Sequence, residues 1–142
     1  MAFEITRVSV WAGEIEDRPG ALAETLEVLQ RAGADLEFAI VRPSAPLSGV
    51  GVLYVAPLIG REQTAAAEEA GLRKAESLDS LRVTGPDRPG LLAGMSRVLA
   101  NAGINISGLS LASLGERCVV YFRFERLADT DRAAEVLARA LG

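Results

Sequence analysis

The sequence predicts an α+β protein made of two consecutive copies of one strand–helix–strand–strand–helix–strand unit. The first observation is a heptapeptide at residues 17–23 (DRPGALA), which returns seventy residues later at 87–93 (DRPGLLA). The second is a pentapeptide at 32–36 (AGADL), which returns at the same offset at 102–106 (AGINI). Two landmarks repeated at one offset, with similar apolar spacing between them, indicate duplication of a folding unit.

The first copy, placed at residues 1–77, supplies the elements of this order one after another. Leu22, Leu26 and Leu29 follow helical spacing and Gly33 provides a stop, which predicts a helix from Ala21. Proline and glycine residues then separate two strand-like runs, and an alanine-rich segment predicts a second helix. The predicted elements are a strand at 3–11, this helix, strands at 36–40 and 50–55, a helix at 61–70 and a weak closing strand at 72–76.

The second copy, placed at residues 78–142, repeats the pattern up to its last helix. Its predicted elements are a strand that includes Leu81 and Val83, a helix with Leu92, Met95 and Leu99 on one face, strands at 104–112 and 117–125, and a helix at 129–141. The inward positions of that last helix are predicted to be Ala133, Val136, Leu137, Ala140 and Leu141. No room is left for a closing strand.

With right-handed crossovers, this order predicts two ferredoxin-like units, each an antiparallel four-stranded sheet with two helices on one face. In this topology the closing strand pairs beside the first strand. Because the second copy lacks a closing strand, the strand at 81–84 is expected to have an unpaired edge, which proteins usually cover. Both a strand from the first copy and a strand from another chain remain open as the covering element.

Composition argues against several classes of function. The formal net charge is −4 and the basic residues are scattered, so we expect no nucleic-acid partner. The chain contains no histidine, which removes the usual general base and the commonest metal ligand, so we expect no enzyme, no metal and no cofactor. The apolar stretch at 50–59 is too short to span a bilayer and no signal-like segment is present, so we expect no membrane partner and a cytoplasmic location. Cys118 lies in a strand-like run and is expected to be a buried structural thiol.

The repeated Asp-Arg-Pro-Gly turn precedes a predicted helix in both copies and has two interpretations. In the structural one, Asp17 and Asp87 cap the helices, the prolines begin the first turn, and Gly20 and Gly90 relieve crowding. In the functional one, the free N–H groups of the helix start bind an anion that the glycine allows to approach. A free carboxylate suits such a site, and both interpretations are compatible.

The residue predicted to open the second strand of each copy is also polar, Asp35 in the first copy and Asn105 in the second. The structural interpretation is a residue that tolerates the turn after a helix end. The functional interpretation is an acceptor for an ammonium group, placed across a seam from the opposite helix start. Together, the turn and this residue would supply what an α-amino acid needs.

The pattern from Asp87 to Ile106, a strand, Asp-Arg-Pro-Gly, a helix, Ala-Gly-x-Asn-Ile and a second strand, resembles the ACT domain, a regulatory amino-acid-binding module. The resemblance covers almost the whole chain as a tandem pair and is similar to stand-alone double-ACT proteins. It implies that the domains pair through their second strands and bind an effector amino acid at the junction. The implied sites combine the turn of one copy with the loop residue of the other: Asp17 and Gly20 with Asn105, and Asp87 and Gly90 with Asp35.

These two implied sites differ in charge. Asp87 with Asp35 brings together two carboxylates, which attract an ammonium group but repel a carboxylate, so we favour the site with Asn105. The sequence also departs from the family pattern. Some ACT domains that bind hydroxy amino acids have a histidine two residues before the aspartate position, where this chain has Ile15 and Gly85.

Three functional hypotheses follow. The leading one is a non-enzymatic regulatory module that binds a free amino acid between its two domains and signals to a regulated enzyme or regulator. The second is an interaction adaptor or regulatory subunit that uses the fold to dimerise without a ligand. The third is a small enzyme, disfavoured because no nucleophile–base pair is recognisable. We expect a homo-oligomer, because an open strand edge favours self-association.

Overall fold

A computed structural model of the protein describes residues 2–45, 48–75 and 78–142. The described residues form eight strands and four helices. In chain order these are β1 (Glu4–Val8), β2 (Trp11–Glu16), α1 (Ala21–Arg31), β3 (Phe38–Pro43), β4 (Val50–Ala56), α2 (Gly60–Glu69), β5 (Arg73–Lys74), β6 (Ser80–Pro86), α3 (Leu91–Asn101), β7 (Gly108–Leu114), β8 (Arg117–Arg123) and α4 (Leu127–Leu141). The predicted order of strands and helices is confirmed in both copies from the first repeated motif onward.

The chain divides into two compact units that do not follow the predicted ranges at the N-terminus. The first unit is Ser9–Ala75, and the second unit combines Met1–Val8 with Glu76–Gly142. The first unit is therefore inserted, in the sequence, between the opening strand of the second unit and its remainder. Residues 76 and 77, where the predicted boundary falls, lie outside the described residues.

The first unit has the predicted ferredoxin-like topology. Its sheet has the strand order β3-β4-β2-β5, and each neighbouring pair is antiparallel. The short β5 pairs with the start of β2, which confirms the predicted closing strand but limits it to Arg73 and Lys74. Residues from strands and both helices share one core, which consists of Trp11, Leu29, Leu53, Val55, Ala67 and Leu72.

The second unit has the same topology, with β1 in the place of the missing closing strand. Its strand order is β1-β6-β8-β7, again antiparallel throughout. Glu4 to Val8 pair in register with Thr84 to Ser80 of β6. The edge that the sequence left open is thus covered by the N-terminal strand of the same chain, which satisfies the main-chain groups of β6.

This pairing corrects one prediction. Residues 3–11 are not a single strand of the first copy, because β1 ends at Val8 and β2 begins at Trp11 in the other sheet. The sequence contains neither glycine nor proline between Val8 and Trp11, so no local turn signal marks the change of sheet.

Side chains of β1 fasten it to the second unit. Phe3, just before the strand, and Ile5 pack against the core of this unit. Arg7 forms ion pairs with Asp131 of α4 (2.6 Å) and with Asp79 (3.5 Å). The strand is therefore joined to β6 by the ladder and to α4 by charge.

The core of the second unit is larger than that of the first and contains Cys118, which is 2% exposed. Burial raises the pKa of the Cys118 thiol, and the nearby charge of Asp87 raises it further, which agrees with the expected structural role. Ala133 and Leu137 of α4 are buried as predicted. Ala140 is exposed instead, because the last turn of α4 lines an open cavity rather than the core. Leu22, in the first turn of α1, is also exposed.

In the part of the chain that the structure describes, no helix has the length and apolar character required to cross a membrane.

Candidate functional site

The two Asp-Arg-Pro-Gly turns have the same backbone geometry. Each helix begins directly after its glycine, which is the N-cap residue in the left-handed region, with φ of 91° at Gly20 and 81° at Gly90. Residues with a Cβ rarely adopt this conformation, so glycine is required here by the backbone. The first N–H of each helix donates to the arginine carbonyl of its turn, Ala21 to Arg18 at 3.3 Å and Leu91 to Arg88 at 3.2 Å. The N–H groups of the next two residues have no intrahelical partner, which leaves donors at both turns.

Both turns are also tied to the next hairpin by one main-chain bond. The N–H of Asp17 donates to the carbonyl oxygen of Gly49 at 2.9 Å, and that of Asp87 donates to Glu116 at 2.8 Å. Gly49 and Glu116 each directly precede the strand that lies beside the turn-bearing strand, β4 or β8. Both copies of the duplicated unit thus contain the turn and the main-chain hydrogen bond that holds it.

The predicted capping role of the aspartates is wrong. Neither α1 nor α3 has a side-chain cap, because the glycine occupies the N-cap position three residues after the aspartate. The Asp87 carboxylate instead accepts a hydrogen bond from Ser113 Oγ of β7 at 2.8 Å. The Asp17 carboxylate has no hydrogen-bond partner among the described residues, so the two aspartates are held differently.

At the first turn, the arginine is neutralised by two carboxylates. Arg18 Nε donates to Glu16 at 2.7 Å, and its Nη2 donates to Glu24 at 2.9 Å. The hydrogen bond from Arg18 lowers the pKa of Glu24, and the bonds to Glu24 and Glu16 raise the pKa of Arg18. With Asp17, this surface carries three carboxylates and one guanidinium.

At the second turn, the arginine lies against an aromatic ring instead. The guanidinium carbon of Arg88 is 5.6 Å from the centroid of the Phe3 ring, within cation–π distance. Its N–H groups have no hydrogen-bond or ion-pair partner in the residues that the structure describes. Arg88 also lines a cavity of about 200 Å³, together with Gly90, Leu91 and residues of α3 and α4.

Asp35 and Asn105 lie in loops and do not open the second strands as predicted. Each loop follows a glycine with positive φ, at 33 or 103, which confirms the predicted end of the helix. The strands β3 and β7 begin three residues after Asp35 and Asn105. All six predicted binding residues, Asp17, Gly20, Asp35, Asp87, Gly90 and Asn105, are exposed.

Within one unit, the turn and this loop lie at opposite ends of a helix. Helices α1 and α3 have 11 residues each, and at about 1.5 Å per residue such a helix is roughly 16 Å long. A free amino acid cannot bridge that distance. A site that uses both features therefore requires the turn of one unit and the loop of another.

Sequence reasoning missed Phe3, Ser113 and the two arginines. The arginines occupy the second position of the repeated motif. Comparing residues seventy positions apart shows that their sequence neighbours differ. Glu16 and Glu24 of the first copy correspond to Pro86 and Gly94 of the second. The sequence thus contained the signal that Arg18 has two nearby glutamates that Arg88 lacks. The contact with Phe3 had no such signal, because it depends on the pairing of β1.

Comparison with known proteins agrees with this architecture. A family model of the ACT domain matches residues 80–140. A protein from Bacteroides thetaiotaomicron has a similar fold, with 19% identity and a TM-score of 0.78 over 96% of this chain and 90% of that chain. The ligand-free regulatory subunit of aspartate kinase from Thermus thermophilus is 17% identical, with a TM-score of 0.66 over 100% of this chain and 98% of that chain.

Similarity extends to part of a larger protein. Aspartate kinase from Synechocystis is 20% identical, with a TM-score of 0.64 over 99% of this chain and 27% of that chain. No curated protein sequence matches the chain at a significant level. At these identities the similarity of the solved structures concerns the fold, and it agrees with two ferredoxin-like units in tandem. The match to the ACT-domain family model covers residues 80–140, which lie within the second unit.

Proposed function

We propose that the protein is a non-enzymatic regulatory module that binds a free amino acid. The observation that carries the proposal is the repeated turn, in which a left-handed glycine exposes helix N–H groups in two units of ACT topology. Such donors suit the carboxylate of an amino acid. A protein of similar fold, from Thermus thermophilus, is the regulatory subunit of aspartate kinase, which supports a role in regulating an enzyme.

We place the amino acid between the turn of one unit and the loop of another. The turn, with Gly20 or Gly90, binds the carboxylate, and the opposing Asn105 or Asp35 accepts from the ammonium group. The length of α1 and α3 supports this division, because it keeps the two features of a single unit apart. Binding transmits a signal if the amino acid has different affinities for two arrangements of the units.

The outer strands of the two sheets support self-association. The edge strands β3 and β7 carry Val41 and Leu111 at equivalent register positions, opposite the buried Leu53 and Val120. Both apolar side chains remain exposed, at 44% and 40%. We propose that these edges pair with the edges of a second copy, which makes the protein a homo-oligomer and covers this surface.

The alternative is an adaptor that uses the fold to bind a partner protein without a ligand. One observation favours it: Leu114, at the tip of the β7–β8 hairpin, is 87% exposed and lies in the same strand as the exposed Leu109 and Leu111. This edge strand thus carries three apolar side chains that a partner protein could cover. In this case amino acids have no effect on the protein, and the regulated enzyme binds to the same extent in their presence and absence.

Thermal unfolding with each of the twenty amino acids at millimolar concentration tests the proposal. A ligand at 100 times its Kd stabilises the folded state by about 2.7 kcal/mol, which raises the midpoint by several degrees in a protein of this size. Asn105→Ala and Asp35→Ala should reduce the shift caused by the ligand. Because both side chains are exposed, their loss should leave the unfolding midpoint of the ligand-free protein unchanged. If no amino acid shifts the midpoint, the proposed amino-acid binding is refuted and the adaptor hypothesis is preferred.

A further inference from the structure

The N-terminal segment reaches the second Asp-Arg-Pro-Gly turn. The register of β1 on β6 pairs Glu4 with Thr84, so Phe3 comes beside Gly85, two residues before Asp87. The ring of Phe3 lies on Gly85 so closely that a Cβ at that position would overlap it. Position 85 therefore has to be glycine for the ring to lie where it does.

The ring in turn supports Arg88. The guanidinium lies over the Phe3 ring at 5.6 Å, and this contact restricts the side chain without using its hydrogen-bond donors. Guanidinium carries five N–H groups in a planar fork that matches the two oxygens of a carboxylate. Because none of them has a partner among the described residues and Arg88 lines the open cavity, an incoming carboxylate can reach this fork.

The first turn provides a contrast within the same molecule. Arg18 occupies the same position of the motif but is already hydrogen-bonded to Glu16 and Glu24. A carboxylate ligand would have to displace one of them while facing the negative charge of the other. Arg88 can therefore bind an anion more readily than Arg18, although the two turns have the same main-chain conformation.

We propose that Phe3 is a positioning residue that holds Arg88 as the carboxylate-binding side chain of the second unit. This inference rests on the proposed amino-acid-binding function and adds to it which turn binds the carboxylate and why. It reverses the preference for the first turn that the sequence suggested, because Arg18 is already bound by Glu16 and Glu24, whereas the charge of Arg88 offsets that of Asp87. It also connects the site with β1, because a ligand that holds Arg88 over the ring strengthens the attachment of the strand to β6. By linkage, whatever loosens β1 then weakens ligand binding at Arg88 by the same factor.

The test measures binding of the twenty amino acids and of their carboxamides, which lack the carboxylate charge. The full-length protein is compared with Arg88→Gln, Phe3→Leu and Phe3→Tyr, and Arg18→Gln is the matched control in the first unit. Arg88→Gln and Phe3→Leu are each expected to weaken amino-acid binding about tenfold and to reduce the preference for the acid over its amide. Phe3→Tyr, which keeps the ring, and Arg18→Gln should bind as the original protein does.

Hydrogen exchange provides a readout that does not depend on affinity. The amides of β1 should exchange more slowly when an amino acid is bound, and this protection should be absent in Arg88→Gln. If Phe3→Leu fails to fold, Arg88→Gln remains usable, because Arg88 is exposed and lies outside the core. Its affinity then decides the role of Arg88, and its ligand-dependent protection of β1 decides the coupling to Phe3: protection of β1 that persists in Arg88→Gln would refute that coupling.

The outcomes separate the two proposals. If the original protein binds no amino acid, the proposed function and this inference fail together. If it binds an amino acid but Arg88→Gln keeps both the affinity and the preference for the acid over its amide, only the role of Arg88 and Phe3 is refuted. If Arg88→Gln loses both while Phe3→Leu is folded and binds normally, Arg88 acts without the support of Phe3.

Discussion

The two units have the same sheet topology and differ in the strand that completes the sheet. In the first unit the sheet is closed by β5, two residues that follow directly from its own α2. In the second unit it is closed by β1, five residues that lie on the far side of the first unit in the sequence. The comparison shows that a duplicated fold can keep its topology while the source of a strand changes.

The same contrast holds at the turns. Gly20 and Gly90 keep the same conformation, but Arg18 is bound by carboxylates of its own unit and Arg88 lies on a ring brought by β1. The main chain at the two turns is therefore equivalent, whereas the electrostatics are not. Where the two copies diverge in function, we expect the difference to lie in side chains around the turns.

Removal of residues 1–8 should have the largest effect on this comparison. It exposes the edge of β6 and removes Phe3, Ile5 and Val8 from the second unit, at a cost of at least about 3 kcal/mol. Hydrogen exchange should show loss of protection in β6 and β8 but not in β4. Replacement of Lys74 of β5 by alanine is the control and should have little effect, since its side chain is exposed. Equal protection of β6 with and without residues 1–8 would show that the strand is dispensable.

Gly85→Ala should have an intermediate effect. The added methyl overlaps the Phe3 ring, so that the ring or the strand has to move, at a cost of about 1–3 kcal/mol. Gly94→Ala is the matched control, because a Cβ there meets no atom within 4 Å and alanine favours the helix by about 0.5–1 kcal/mol. Chemical denaturation of both variants measures the difference. A Gly85→Ala protein as stable as the original would mean that Phe3 does not pack as described.

Arg18→Gln should have the smallest effect and a specific pH dependence. The hydrogen bond from Arg18 lowers the pKa of Glu24 in the folded protein, so its contribution is present above the ordinary carboxyl range and is lost as the pH falls through the lowered pKa. Because both side chains lie at the surface, stability at neutral pH should barely change. NMR titration should show the Glu24 midpoint rising toward its ordinary value in the variant. An unchanged midpoint would indicate that the ion pair does not form in solution.

Much of the fold was predictable from local patterns. The spacing of Leu26 and Leu29, and of Met95 and Leu99, located α1 and α3, and Gly33 and Gly103 marked their ends because the chain needs a positive φ there. The candidate turns followed from repetition of a motif. The capping role of Asp17 and Asp87 was mispredicted, because a glycine at the N-cap leaves an aspartate three residues earlier too far back to cap the helix.

By itself, the sequence determined the duplication, the order of elements and the position of both turns, since these depend on residues close together along the chain. Only the tertiary structure decided that β1 closes the second sheet and brings Phe3 to Arg88. The physical reason is that strand pairing is a long-range choice: the β1 side chains fit either sheet by pattern, and the partner is selected by the vacant edge of β6, the bare surface of Gly85 and the charges of Asp79 and Asp131.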